Sequence, residues 1–180
     1  MRSFAQMSSA RLLEVCGINS PPVDLNQIVR FLGIEVSIKP DFNKLNVALE
    51  SYSSRESDGV KVWLNPFEYH TERRFSLACE IGYLMTAGRD STDYDRVRRQ
   101  DKSAHGVGHS NYQDHAASEY AAELLMPRNM IQYYGQEMIY SYNSEQHGLM
   151  SFPQFASRMA ALFDVSQNAM EVRLSRLGVS

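Results

Sequence analysis

The fold is decided by a nearly continuous apolar run in the middle of the chain, Phe75-Ser76-Leu77-Ala78-Cys79-Glu80-Ile81-Gly82-Tyr83-Leu84-Met85. A run of this length and composition predicts a helix that is covered on most sides and passes through the centre of the fold. The preceding Asn65-Pro66-Phe67-Glu68 has a capping residue, a proline and an acid, which predicts that this helix begins there. A second buried helix is expected over residues 116–125 and is stopped by Pro127.

Two short helices and three strands are expected before the central helix. The first helix covers residues 3–15 and the second follows the Asp24 cap, and Gly17 and Gly33 stand where each helix should end. Runs of β-prone residues predict strands at 34–38, 45–52 and 60–64, which we expect to form a small three-stranded antiparallel sheet. The polar segments 53–59 and 88–113 are expected to be connections.

The last part of the chain predicts a helical pair. Ser151-Phe152-Pro153-Gln154 is typical of a capped helix start, and we expect this helix to run to Phe163. After a short turn, Ser166 caps a final helix. The spacing is that of a helix-turn-helix, with Arg173 and Arg176 on the second helix.

Composition excludes several classes of protein. The chain has 180 residues, with 43% hydrophobic and 22% charged, which is typical of a folded domain rather than a disordered or fibrous one. No stretch is long and apolar enough for a membrane span and no secretory leader is visible, so we expect a cytoplasmic protein. The net charge of -3 disfavours nonspecific binding of nucleic acid.

Several sequence segments resemble those of the ImmA/IrrE family of metallo-endopeptidases, in the same order and along almost the whole chain. The matching segments are Pro21-Pro22-Val23-Asp24-Leu25, Leu32-Gly33-Ile34, Arg74-Phe75-Ser76-Leu77-Ala78, Ala121-Ala122-Glu123-Leu124-Leu125-Met126-Pro127 and the terminal Val165-Ser166 through Leu177-Gly178. The resemblance implies an α+β fold. We expect a zincin-like domain over residues 1–127, containing the small sheet and the buried active-site helix, and a helical, helix-turn-helix-like subdomain over 128–180 packed on it.

The resemblance also implies where a metal would lie. The family carries a His-Glu-x-x-His run on the buried helix, with two imidazoles on one zinc and the glutamate as general base. Here that run reads Cys79-Glu80-Ile81-Gly82-Tyr83, so both histidines are replaced and Glu80 remains. The third, acidic ligand falls at Asp114. The strand at 45–52 would hold an extended peptide.

The replacements change the chemistry of the site. A phenol with an ordinary pKa near about 10 must lose its proton to bind zinc well. Three anionic ligands at Cys79, Tyr83 and Asp114 would also reduce the ability of the metal to acidify water. We therefore expect Cys79 and Tyr83 to pack in the vacated cavity and Glu80 to persist as a hydrogen-bonded buried acid. We therefore expect no cofactor. The alternative is a zinc ion bound at these three positions.

Two other hypotheses for the chemistry of the site are a rearranged metal site and a cysteine nucleophile. A rearranged metal site could recruit histidines, for which the chain offers His70, His105, His109 and His115. The glycines between His105 and His109 disfavour the helix that would bring these two together, so a polar loop is the preferred interpretation. A nucleophilic Cys79 is disfavoured, because a thiol in an apolar helix has a raised pKa.

These observations predict a regulatory protein with a degenerate metallopeptidase site. The resemblance implies a protein partner such as a helix-turn-helix transcriptional repressor, linked to stress-response or mobile-element genes and bound without efficient cleavage. One alternative is an active zinc metallo-endopeptidase with a non-standard ligand set. The other is a DNA-binding regulator that uses its C-terminal helices, which the few arginines between Phe152 and Ser180 disfavour.

Overall fold

The computed structural model describes residues 7–39, 52–56, 59–86, 110–146 and 149–179. In these ranges it contains seven helices and three strands. The helices are α1 (Ser9–Cys16), α2 (Leu25–Leu32), α3 (His70–Thr86), α4 (Ser110–Leu125), α5 (Arg128–Gln146), α6 (Phe152–Phe163) and α7 (Gln167–Arg176). The strands are β1 (Ile34–Ser37), β2 (Tyr52–Glu56) and β3 (Gly59–Trp63). The described helices include none with the length and apolar character needed to cross a membrane.

Local capping explains where the first two helices begin and end. The Ser8 hydroxyl accepts a hydrogen bond from the Arg11 amide at 3.3 Å and begins α1. The Asp24 carboxylate accepts from the Asn26 amide at 2.9 Å and begins α2 at the predicted place. The expected C-terminal glycines both adopt left-handed backbone, with φ of 67° at Gly17 and 68° at Gly33. Residues 3–6, the start of the predicted first helix, lie outside the described ranges.

The sheet is mixed, so the prediction of a fully antiparallel sheet is wrong. The strand order is β1-β3-β2, with β3 antiparallel to β2 and parallel to β1. Ile34 pairs with Val60 in the parallel ladder, and Ser53 pairs with Val62 in the antiparallel one. The chain direction reverses from β1 to β2 and again from β2 to β3, and β2 pairs with the side of β3 that is opposite to β1. The two outer strands are therefore never neighbours, and β1 and β3 run in the same direction.

The second strand lies later in the sequence than predicted. It starts at Tyr52 and continues to Glu56, although residues 53–56 were expected to be part of a connection. Residues 45–51 of the predicted strand lie outside the described ranges. The prediction failed because Ser53 interrupts the apolar pattern, yet it is buried at 7% exposure. A buried hydroxyl needs a hydrogen-bond partner, and Ser53 has one on α3, as described below.

The two central helices also begin at other residues than predicted. Helix α3 begins at His70, because the Asn65 side chain caps a tight turn by accepting from the Phe67 amide at 2.9 Å. Helix α4 begins at Ser110, so residues 110–113, predicted to be loop, are helical. Residues 88–109 of the predicted loop, including His105 and His109, lie outside the described ranges.

Helices α3 and α4 cross at very close range. Gly82 of α3 lies against Ala117 of α4, where a Cβ atom on Gly82 would stand 2.8 Å from the Ala117 carbonyl oxygen and 3.2 Å from the Cβ of Tyr120. Around this crossing the interior is filled by fully buried aliphatic side chains, among them Ile81, Leu124 and Leu125. The central helix predicted from the apolar run is confirmed as part of this core.

The C-terminal helical pair is fastened to the rest of the fold by buried and half-buried polar groups. Asp164, in the turn between α6 and α7, has left-handed backbone with φ of 54°. Arg74 of α3 donates from Nε to the Asp164 carbonyl oxygen at 2.9 Å, and its Nε lies 3.1 Å from Asp164 Oδ2. Arg173 of α7 donates from Nε to the Met126 carbonyl oxygen at 3.1 Å. The predicted cap at Ser166 is present, since its Oγ accepts from the Ala169 amide at 3.2 Å.

The close crossing predicts that Gly82→Ala destabilises the protein. Alanine in a helix normally gains about 1 kcal/mol over glycine. Here the new methyl group meets backbone that cannot move alone, so α3 and α4 must separate. We expect the free energy of unfolding to fall by about 1–3 kcal/mol in urea denaturation.

Gly135→Ala on α5 is the matched control. Its new Cβ would lie 3.1 Å from the ring tip of Phe155, a side chain that can shift, rather than against backbone. We expect a smaller loss for this variant. Equal or greater loss at Gly135 would show that the α3–α4 crossing imposes no special constraint.

Candidate functional site

The site is built on one face of α3. Cys79 and Tyr83 are four residues apart and therefore lie on the same face of the helix. Both side chains are half-buried and pack against the hydrophobic core. Their thiol and phenol groups occupy the two positions that would present imidazoles in a His-Glu-x-x-His run.

Glu80 is a buried and hydrogen-bonded acid. The residue is 2% exposed, and its Oε2 accepts a hydrogen bond from the Ser53 hydroxyl at 2.6 Å. This distance falls in the range of about 2.5–2.7 Å that is typical of a hydroxyl bound to a carboxylate, a strong class of hydrogen bond. Glu80 therefore ties the central helix to β2, which lies at one side of the three-stranded sheet.

Helix α4 passes beside this face of α3. Asp114 lies in its first half, three residues before Ala117, which contacts Gly82. The backbone position of Asp114 thus places it on the helix that crosses α3 next to Tyr83, and its side chain lies outside the described part of the structure.

Tyr120 lies on α4 at the same crossing. It is 8% exposed, and its hydroxyl has no hydrogen-bond partner among the described residues. Burial raises the pKa of Tyr120 well above its ordinary value, and the nearby Glu123 and Cys16 raise it further. This phenol therefore stays neutral at physiological pH.

His70 and His115 are the two histidines in the described part of the chain. His115 is exposed on α4. His70 begins α3, where its Nε2 lies 2.7 Å from Asp164 Oδ2, and it precedes Cys79 by nine residues, about 13 Å along the helix axis. Across the described ranges, no three side chains of the histidine, cysteine, aspartate and glutamate types form a group that could hold a metal ion.

The arrangement of a buried helix with an internal acid, a short sheet beside it and a second crossing helix defines a metallopeptidase-like domain. The chain matches the family model described as IrrE N-terminal-like domain, Peptidase M78, over residues 32–175, and it belongs to this family. The resemblance in the sequence motifs is thus confirmed. No curated protein matches the chain.

A similar solved structure is that of a Mycobacterium tuberculosis transcriptional regulator. The TM-score is 0.58 at 16% sequence identity, and the similarity covers 93% of this chain and 54% of the regulator. The chain therefore spans about half the length of that protein. At this identity the likeness concerns the fold.

A catalytic zinc does not fit the donors described at the family positions. The family chemistry uses two neutral imidazole ligands and a glutamate free to act on a metal-bound water. Here the described donors are a thiol and a phenol that pack against the core, and the glutamate is held by a serine hydroxyl. No catalytic step through a metal is therefore derived for this chain.

Ser53 is the functional neighbour that the sequence did not reveal. It was placed in a connection, and nothing in its local pattern distinguishes it from the serine that follows. The burial of Arg173 could have been predicted from the sequence. The spacing of a buried helix face is followed by Met170, Arg173, Leu174 and Leu177. An arginine in such a face predicts a buried guanidinium with a specific partner.

The Glu80–Ser53 contact predicts the effect of Ser53→Ala. Removing the hydroxyl takes one hydrogen bond from a buried carboxyl group, so we expect the free energy of unfolding at pH 7 to fall by about 1–3 kcal/mol. Ser157→Ala, at an exposed position on α6, should change it by less than about 0.5 kcal/mol.

A double-mutant cycle with Glu80→Gln separates this contact from general effects of the substitution. We expect a coupling free energy of about 0.5–3 kcal/mol between the two positions. Strict additivity would mean that the serine does not stabilise Glu80.

Proposed function

We propose that this protein is a regulatory member of its family that binds a protein partner beside α3 and β2, where the family binds its substrate, without efficiently cutting it. The observation that carries the proposal is the hydrogen bond of 2.6 Å between Ser53 Oγ and Glu80 Oε2 in a buried environment. A general base must have access to the proton that it removes. A glutamate that joins the helix to the sheet is suited to hold these two elements in place.

The residues at the ligand positions favour the same conclusion. The side chains of Cys79 and Tyr83 pack against the hydrophobic core. A tyrosine also fills volume that a smaller imidazole would leave open. This arrangement favours a pseudo-peptidase, in which the fold is retained as a binding surface.

A protein partner is favoured over DNA by the placement of the C-terminal arginines. Arg173 is buried and bonded to the Met126 carbonyl, and Arg176 is ion-paired with Glu119. Arg158 stands over the Tyr142 ring, with 5.2 Å from its Cζ to the ring centroid. DNA binding needs cationic side chains directed at phosphates, and these three are engaged within the protein.

The family resemblance supplies the class of partner, a helix-turn-helix transcriptional repressor. Among the described strands β2 lies at one edge of the sheet, and an edge strand leaves backbone donors and acceptors on one side, where this partner would add an extended segment. Such binding in the cytoplasm would regulate the repressor by occupancy.

Metal content tests the loss of catalytic zinc. We expect substoichiometric zinc by elemental analysis in protein purified without a metal-affinity tag, loaded with zinc and desalted. The control is the triple variant Cys79→His, Tyr83→His and Asp114→Glu, which restores the family donors and should gain zinc if the cavity keeps its shape. One equivalent of zinc in the unaltered protein, lost in Cys79→Ala or Asp114→Ala, would instead support the alternative function of an active metallo-endopeptidase.

Binding without cleavage is tested directly on repressors. We would mix the chain, with added zinc, with each helix-turn-helix repressor encoded in its own genome. Binding is measured by biolayer interferometry and cleavage by intact mass spectrometry. We expect a complex with an intact repressor, both for the unaltered protein and for a folded Glu80→Gln variant. Cleavage that disappears in Glu80→Gln would contradict the proposal, as would DNA binding without any repressor complex.

A further inference from the structure

The outer side of β1 is a sheet edge in the described part of the structure. Strand β1 pairs with β3 on one side, and none of the described strands lies on its other side. An edge strand is a template for pairing with another chain, because its outward N–H and C=O groups have no partners within the sheet. The residues of β1 therefore determine what can pair there.

The hydrogen bonds to β3 show which backbone groups of this segment point to the open side. The Ser37 carbonyl oxygen accepts from the Leu64 amide at 2.8 Å, and the Lys39 carbonyl oxygen accepts from the indole Nε1 of the last residue of β3 at 2.8 Å. The backbone groups of successive residues in an extended strand point to opposite sides. The N–H and C=O groups of Val36 and Ile38 therefore point away from β3.

Apolar and polar side chains alternate along this segment, which reads Ile34-Glu35-Val36-Ser37-Ile38-Lys39. The apolar row lies on the core side of the sheet. It starts at the buried Ile34, continues through the half-buried Val36 and ends at Ile38, which is 53% exposed. A strand added at this edge would cover part of Ile38, and burial of apolar surface is favourable.

The polar row carries opposite charges at its two ends. The Glu35 side chain is 69% exposed, and its carboxylate lies 3.8 Å from the Lys61 ammonium, a long contact for an ion pair. Lys39 is exposed and has no ion pair among the described residues. Two opposite charges spaced evenly about Ser37 are self-complementary, because a two-fold axis through Ser37 brings each charge to its opposite in a second copy.

We propose that β1 pairs with β1 of a second copy of this chain, antiparallel about a two-fold axis at Ser37. Val36 of each copy then exchanges both backbone N–H···O bonds with Ile38 of the other. On the solvent side of the sheet, Glu35 of each copy stands directly opposite Lys39 of the other. Their Cβ atoms are then about 4.5–5.5 Å apart, where opposite charges stabilise a strand pair. The two three-stranded sheets become one continuous sheet.

The charges select this register over the neighbouring ones. An axis at Val36 would place Glu35 opposite Ser37 and leave Lys39 without an opposite charge. An axis at Glu35 would place two glutamates face to face, which is destabilising. The axis at Ser37 pairs both charges and also sets Ile38 beside Val36 on the apolar side, so the register is specified on both faces of the sheet.

The pairing leaves the proposed partner surface open. Strand β2 lies at the opposite edge of the described sheet from β1, so each copy in the dimer still offers its own β2. The contact between two short strands is small, and interfaces below about 1,200 Å² are typical of weak association. We therefore expect a dimer that forms at high micromolar concentration.

Analytical ultracentrifugation of the full chain tests the dimer and its register. We expect a monomer–dimer equilibrium between about 10 μM and 1 mM protein. Lys39→Glu and Glu35→Lys, each alone, should raise the dissociation constant at least about tenfold, because every homodimer of either variant contains two like-charge pairs.

An equimolar mixture of these two variants is the decisive sample. In a heterodimer of Lys39→Glu with Glu35→Lys, both cross-strand pairs again join a glutamate to a lysine, so dimers should return in the mixture. Recovery in the mixture also shows that both variants are folded. A chain that stays monomeric at about 1 mM would leave the edge to another protein and overturn the proposal. Dimers that resist both charge reversals, or that do not return in the mixture, would overturn it as well.

Two matched controls locate the contact on β1. Ile38→Asn removes the exposed apolar side chain at the edge and should weaken the dimer, whereas Ile139→Asn makes the same change on α5, where isoleucine is 43% exposed, and should not. Arg128→Glu reverses an exposed charge at the start of α5 and should also leave the dimer unchanged. Equal losses at positions 38 and 139 would show that the copies do not meet at β1. None of these outcomes depends on repressor binding or zinc content, so the two proposals can fail separately.

Discussion

The close approach of α3 and α4 at Gly82 is the constraint on which the rest of the structure depends. Because no side chain separates the two backbones there, the residues on either side are forced into fixed relative positions. Cys79 and Tyr83 lie one turn before and directly after this point, and Ala117 and Tyr120 lie opposite. Sites assembled across two helices need such a rigid crossing, since a shift of about 1 Å can ruin their geometry.

In the proposed function, Glu80 occupies the general-base position of the family motif but serves to hold the fold together. In the family chemistry the glutamate acts on a metal-bound water, which requires that it remain accessible. In this chain it is buried and bonded to Ser53 across the gap between helix and sheet. A buried carboxyl group is costly unless it is hydrogen-bonded, so its retention beside two replaced ligands is consistent with a structural task.

The C-terminal helices have the spacing of a helix-turn-helix, but polar groups on them form contacts within the protein. Asp164 joins their turn to Arg74 of α3, and Arg173 joins α7 to the end of α4. Both arginines have a pKa lowered mainly by burial, as expected for guanidinium groups used as internal fasteners.

The sequence by itself determined the elements whose causes are local. The caps at Asp24 and Ser166, the glycines after α1 and α2 and the apolar run of α3 act within a few residues, and all were predicted. The family membership followed from its motifs in the same way. Tertiary structure alone decided the parallel pairing of β1 with β3 and the polar strand β2. It also decided the contact between Ser53 and Glu80, because partners 27 residues apart meet only when the chain has packed.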